Sequence, residues 1–286
     1  MSNKANEVME AVTERLIASL EAGAVSGEWN RPWIGGEIAM NAVTGNQYSG
    51  GNLIVLWVLG EDFGSQYYAT YKQWQSVGAQ VRKGESGITL VKWTPIECKD
   101  HGKDEMCMNC GRAIPKAFTV FNSTQVDGWD GETQNEDVRR CDLDHYFGSV
   151  GATIKHGANA SYNKRTDEVT VPHFEAFESA EAYYATLGHE MIHWTGHADR
   201  LNRQYGEKFG DDAYAFEELV AELGSAMLCA SLGITDTPRP DHARYLKHWV
   251  HVLKQNYRVL WTAASAAQKA VTFIMSHAEI KEGVPA

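Results

Sequence analysis

The segment GHEMIHWTGH constrains this chain more than any other stretch. His189 and His193 are four residues apart, which on a helix places both imidazoles on one face, about 6 Å apart along the axis. Two imidazoles at that spacing can grip one zinc ion, and the intervening Glu190 is positioned to act as a general base on water. The segment closes a predicted helix over 179–195, opened by Ser179 as N-cap and stopped by Gly196.

Two histidines do not complete a zinc site, and the next helical stretch, FEELVAELGSAML, offers more. Glu218 and Glu222 are again four apart, on one face of a helix predicted over 212–232. In this reading Glu218 is the third ligand. Glu222 accepts from the ring N–H of His189, which fixes the tautomer and raises the basicity of the imidazole. Asp199 is the alternative third ligand, because HEMIHWTGHAD also fits HExxHxxGxxD with Gly196 at the turn. His197 falls outside the helical register and is not expected to bind. With three protein ligands, a catalytic ion keeps a fourth position open. The expected chemistry is hydrolysis of a polarised carbonyl with Glu190 as base. Tyr205, Tyr214 and His242 are candidate oxyanion donors.

The rest of the chain reads as α+β in two domains. The first covers 1–128, a small domain with a mixed or antiparallel sheet. A polar, acidic linker without periodicity follows over 129–145. The second covers 146–286 and is mostly helical, with a short hairpin or sheet over 150–172, in which GATIKHG and DEVTVP flank turn chemistry around Tyr162, Asn163 and Lys164. Helices are predicted over 3–22, 69–78, 241–256 and 259–277. LIVLWVLG reads as a strand or a buried helix, and strands are predicted in GITLVKWTPIE and KAFTVFN. The chain lacks about 18 consecutive apolar residues, so no membrane helix is expected. Its N-terminus lacks a secretory pattern. A cytoplasmic location is the expectation.

The formal net charge is -11 over 286 residues, a poor setting for nucleic acid if the charge were uniform. It is not uniform. Residues 1–125 hold 11 Lys/Arg against 13 Asp/Glu, and residues 126–286 hold 15 against 24. The nearly neutral part is also the aromatic part, with cations beside the rings: Trp29, Arg31 and Trp33; Tyr48; Tyr71, Lys72 and Trp74; Arg82 and Lys83; Lys92 beside Trp93. Aromatic platforms with neighbouring Lys and Arg suit single-stranded nucleic acid, whose bases stack while its phosphates meet cations. Composition alone favours a plainer reading, in which these rings are core.

Five segments taken together carry a family resemblance: GNQYSGGNLIVLW, YATYKQWQSVGAQVRKGESG, FTVFNSTQVDG, HEMIHWTGHADRLNR and AYAFEELVAELGSAML. The chain resembles the ArdC antirestriction proteins of conjugative plasmids and phages. The resemblance implies an N-terminal domain that binds single-stranded DNA and a C-terminal zincin-like metallopeptidase domain. It also implies a role in protecting incoming mobile-element DNA from host restriction. It puts the peptidase motif on His189, Glu190 and His193, with the downstream acid at Glu218 or Glu222. A protein substrate is implied, with a host restriction component as one candidate.

One segment departs from that family pattern. Cys98, His101, Cys107 and Cys110 form C-x2-H-x5-C-x2-C, a spacing able to close a second, structural zinc site; an exposed hairpin of free thiols is the alternative. Cys141 and Cys229 are expected as a linker thiol and a core residue. Two other functions are compatible with the sequence: a DNA-binding module whose metal site is only structural, and a cytosolic metallopeptidase that does not bind DNA.

Overall fold

The structure, a computed structural model, describes residues 3–26, 38–95, 113–131, 143–203, 212–234 and 243–278. The chain opens with α1 (Asn3–Ser26), in which Val12, Leu16 and Leu20 recur every four residues and are buried. After β1 (Met40–Asn41), the run LIVLWVL lies in helix α2 (Gly50–Leu59) and not in a strand. Six consecutive buried residues, Leu53 to Val58, make it a helix enclosed on all sides, which gives the period-free apolar run that sequence patterning leaves open.

A four-stranded sheet follows, ordered β1-β2-β5-β4, from β2 (Tyr67–Thr70), β4 (Ile88–Pro95) and β5 (Ala113–Asn122). β1 and β2 are parallel, and the other pairs are antiparallel, with Ile88 opposite Val120 and Trp93 opposite Pro115. The short helix α3 (Tyr71–Ser76) begins at a capping box made by Thr70 and Gln73. β3 (Gln80–Val81) and β6 (Val126–Asp127) pair beside it. Asn52 fastens α2 to the sheet, its side chain donating to Val91 O at 2.9 Å and accepting from Val91 N at 3.0 Å.

Past α4 (Leu143–Ser149) stands a second sheet of three strands, β7 (Thr153–His156), β8 (Ser161–Asn163) and β9 (Glu168–Val171), ordered β7-β9-β8. The expected hairpin of GATIKHG with DEVTVP is therefore not formed, and a strand, β8, takes the place of the expected turn. β8 and β9 are antiparallel, but β7 runs parallel to β9 on its other side. Val169 and Val171 of β9 are fully buried, so the most apolar strand takes the central place and the polar ones flank it. Helices α5 (Ala180–Thr195), α6 (Asp212–Ser231), α7 (Ala243–Gln255) and α8 (Arg258–His277) complete the chain, with α6 packed on α5, α7 and α8.

A single core cluster takes side chains from α1, α2 and β4 as well as from α5, α6 and α8. One close junction across the expected linker is Gly51 against Trp261. A Cβ added at Gly51 would fall 2.2 Å from the indole ring, so only glycine lets α2 and α8 approach this closely. Gln268 accepts from Gly50 N at 3.0 Å beside it. The expected second zinc ligands Cys98, His101, Cys107 and Cys110 lie outside the described residues, as does Cys141. Cys229 is buried in the core as expected. Among the described residues, no helix is long and apolar enough to cross a membrane.

Candidate metal centre

α5 and α6 build the centre. Ser179 caps α5, its Oγ accepting from Ala182 N at 3.1 Å. The helix then carries His189, Glu190 and His193 into the interior, with His189 and Glu190 buried. α6 can lie close because Gly224 faces Ile192; a Cβ there would stand 2.9 Å from the isoleucine side chain. Ser225 Oγ, donating to Ala185 O at 2.9 Å, ties the two helices.

This packing gathers His189, His193 and Glu218, whose ligand atoms all lie within 4.8 Å of one another. Glu218 Oε2 is 3.7 Å from His189 Nε2, and Glu218 Oε1 is 3.5 Å from His193 Nε2. Donors about 2 Å from one tetrahedral ion stand roughly 3.3 Å apart, so the trio fits a divalent cation in a slightly open arrangement. The far side of each ring meets a carboxylate: His189 Nδ1 is 3.2 Å from Glu222 Oε1, and His193 Nδ1 is 3.2 Å from Glu217 Oε1. Carboxylates at Nδ1 favour the tautomer that leaves Nε2 unprotonated and able to ligate.

The sequence reading missed Glu217 and Arg203, which the structure places behind His193. Arg203 donates to Glu217 from Nε at 3.0 Å and from Nη2 at 2.8 Å. It also donates to Thr195 Oγ1 and to Ile192 O, so it clamps α6 to the end of α5. Three acids crowd FEELVAEL, and spacing alone singles out the pair four apart. Glu217 gains its partner one helical step away only because α5 crosses at that angle.

Charge is matched inside the centre. Burial works against a charged His193, but Glu217 and Glu218 outweigh it and raise its pKa to about 10. Burial alone would raise Glu218, yet the contacts with His189 and His193 hold it well below the usual carboxylate range. Glu217 is likewise lowered against its burial, by His193 and Arg203. Ligands of a divalent ion must be deprotonated, so binding at such a site competes with protons.

Asp199 is not part of this group. Its side chain is 87% exposed and 3.4 Å from His197 Nδ1. Tyr214 is half-buried on α6, while Tyr205 and His242 lie outside the described residues. Next to the turn, Arg200 sits 3.9 Å over the Trp194 ring and pairs with Asp167, which also accepts from Tyr162 Oη at 2.8 Å. This network pins the β8–β9 turn to the end of α5.

The sequence-predicted DNA contacts scatter. Trp29, Arg31 and Trp33 lie outside the described residues. Trp74 is 0% exposed, donates to Phe121 O and packs against Trp129, so it is a core residue and cannot stack on a base. Tyr48 is half-buried and bonded to Asn41. Arg82 is committed to Glu85, Asp127 and the Thr124 and Val126 carbonyls. Tyr71, Lys72, Lys83 and Lys92 are exposed. So is Trp93, at 52%.

Residues 6–121 match the family described as the N-terminal domain of anti-restriction factor ArdC, and residues 141–266 that of zincin-like metallopeptidases. A crystal structure of the antirestriction ArdC protein from plasmid R388, in its Mn(II)-bound form, superposes with a TM-score of 0.77 at 37% identity, covering 94% of this chain and 97% of that one. The chain belongs to the ArdC antirestriction family. The metal-free form of the same protein superposes with a TM-score of 0.76. The y4eC protein of Sinorhizobium fredii is 38% identical over 279 residues, 92% of this chain and 90% of its own length. DNA primase TraC of Escherichia coli is 36% identical over 291 residues, but the match covers only 27% of that longer protein. The α+β fold and the zincin-like second half agree with the sequence reading. Among the described residues, His189, His193 and Glu218 form a cluster able to hold a metal ion.

Proposed function

We propose that this protein is a zinc-dependent peptidase joined to a single-stranded-DNA-binding region, serving to protect incoming mobile-element DNA from restriction. The observation that carries the reading is the convergence of His189, His193 and Glu218 with both outer ring nitrogens facing carboxylates. His189, His193 and Glu218 would hold a divalent ion, which when bound would supply a Lewis acid for a peptide carbonyl. Glu190, on the same helix one residue past His189, takes the proton from attacking water and returns it to the leaving amine. Glu222 and Glu217 keep the imidazoles oriented, and Arg203 keeps Glu217 in place. The Mn(II)-bound relative favours a second reading of the metal, in which manganese serves in place of zinc.

The DNA-binding half of the proposal is supported by the match to the ArdC N-terminal domain and by the related segment within a DNA primase. Exposed Tyr71, Lys72, Lys83, Lys92 and Trp93 are the residues able to meet a strand. The deciding experiment measures cleavage of a peptide library and protection of transferred DNA in cells, for wild type and Glu190→Gln. Loss of both on substitution supports peptidase-driven protection. Protection that survives Glu190→Gln unchanged shows that proteolysis is not how the protein acts.

A further inference from the structure

Between the first sheet and the last helix lies a cleft of about 1600 Å³. One wall is α8, whose exposed Arg258, Thr262, Ser265 and Lys269 all line the cleft. Their spacings of four, three and four keep them on one helical face, a stripe roughly 16 Å long. The opposite wall is the edge strand β4, which presents Lys92 and the half-exposed Trp93. Arg200 and Arg203 also line the cleft.

Five cations therefore line this cleft, and among the described residues no carboxylate does. That is a marked local excess in a chain of net charge -11. Arg200 and Arg203 are already paired with Asp167 and Glu217. Lys92 and Lys269 face no carboxylate among the described residues. Positive potential in a cleft, surrounded by an acidic molecule, selects a polyanion that can enter without its bulk meeting the acidic exterior. An exposed indole beside the cations adds a stacking surface, usable only by bases not already stacked in a duplex.

We propose that a single strand of nucleic acid lies in this cleft, its phosphates toward Lys92, Arg258 and Lys269 and a base against Trp93. The inference rests on the reading that the protein binds single-stranded DNA, and it adds where the strand lies: across both halves of the chain, with α8 as a full partner. The cleft also reaches Arg203, the residue that braces Glu217 behind His193.

Fluorescence anisotropy with a labelled oligothymidylate of about 15 nucleotides, at several salt concentrations, tests this. Four proteins are compared: wild type, Lys269→Gln, Arg258→Gln and Trp93→Ala. Each cation lost should weaken binding several-fold and make the slope of log affinity against log salt shallower by about 0.7. Trp93→Ala should weaken it by roughly 5- to 100-fold. Divalent-metal binding by Lys269→Gln, measured alongside, should stay at the wild-type value and shows that the variant is folded. Wild type that binds while Lys269→Gln and Arg258→Gln bind equally well overturns the cleft and leaves DNA binding to the first half alone. Wild type that binds no oligonucleotide overturns the DNA reading itself. Polyglutamate that binds as tightly as the oligonucleotide, with the same loss on Trp93→Ala, overturns the assignment by making an acidic peptide the occupant.

Discussion

Arg203 grips Glu217 through two N–H donors, Nε to Oε2 at 3.0 Å and Nη2 to Oε1 at 2.8 Å, while Glu217 Oε1 stands 3.2 Å from His193 Nδ1. The guanidinium thus reaches a ligand of the metal centre through one carboxylate. Arg203→Ala leaves Glu217 charged and buried without its main partner. Metal affinity, measured by competition with a chromogenic chelator, should fall by about 10- to 100-fold. Lysine cannot reproduce the fork and should restore only part of the loss. An unchanged affinity in Arg203→Ala would show that the pair is scaffolding alone.

The third ligand can be decided by comparing two acids. Glu218→Ala should cost more than a supporting carboxylate does, about 100-fold or beyond in metal affinity. Asp199→Ala should leave affinity within about twofold, since its side chain is 87% exposed and outside the trio. The opposite ranking would move the centre to the turn after α5.

Glu190→Gln should separate chemistry from binding. Metal stoichiometry stays at the wild-type value, while peptide cleavage drops by at least about 100-fold, the usual contribution of a general base. Equal loss of metal and activity would mean that Glu190 supports the ion and does not move a proton.

Gly51→Ala pushes a methyl into the Trp261 ring, 2.2 Å from its nearest atom. Urea unfolding should show a loss of about 1–3 kcal/mol from overpacking. Adding Trp261→Leu should recover part of that loss, because the two sites share one contact. A Gly51→Ala protein as stable as wild type would mean that α2 and α8 can separate at no cost.

Acid stability should depend on Asp167. The hydrogen bond from Arg200 holds its carboxyl below the ordinary value, with Tyr162 adding to it. Its folded pKa is depressed, so its contribution is fully present above the unfolded value of about 4 and disappears as pH falls through the folded one. Asp167→Asn should therefore lower stability at neutral pH and flatten the acid limb of the urea midpoint against pH. Parallel curves for the two proteins would rule out this linkage.

The chemistry of the centre was legible in order of sequence spacing. HExxH and the Glu218/Glu222 pair lie within single helices, where a separation of four dictates a shared face. The buried four-residue rhythm of α1 and the caps of α5 are local in the same sense. Glu217 was invisible because its role depends on the angle at which two helices cross. Trp74 misled because a strand-flanked aromatic reads alike whether it points out or in; only the packing of Trp129 and the Phe121 carbonyl decides. The parallel placement of β7 also escaped, since pairing order in a sheet follows from which strand is buried, not from chain order.

By itself, then, the sequence determined the HExxH pair, the Glu218/Glu222 pair, the helices that carry them and the family to which the chain belongs. Each of these is written in residues a few positions apart or in long stretches of shared identity. Tertiary structure alone decided the brace of Arg203 on Glu217, the contact of Gly51 with Trp261 and the cleft joining Lys92 to Lys269. Those relationships join residues separated by between 14 and 210 positions, where no helical or strand period operates and only the close packing of the core sets who meets whom.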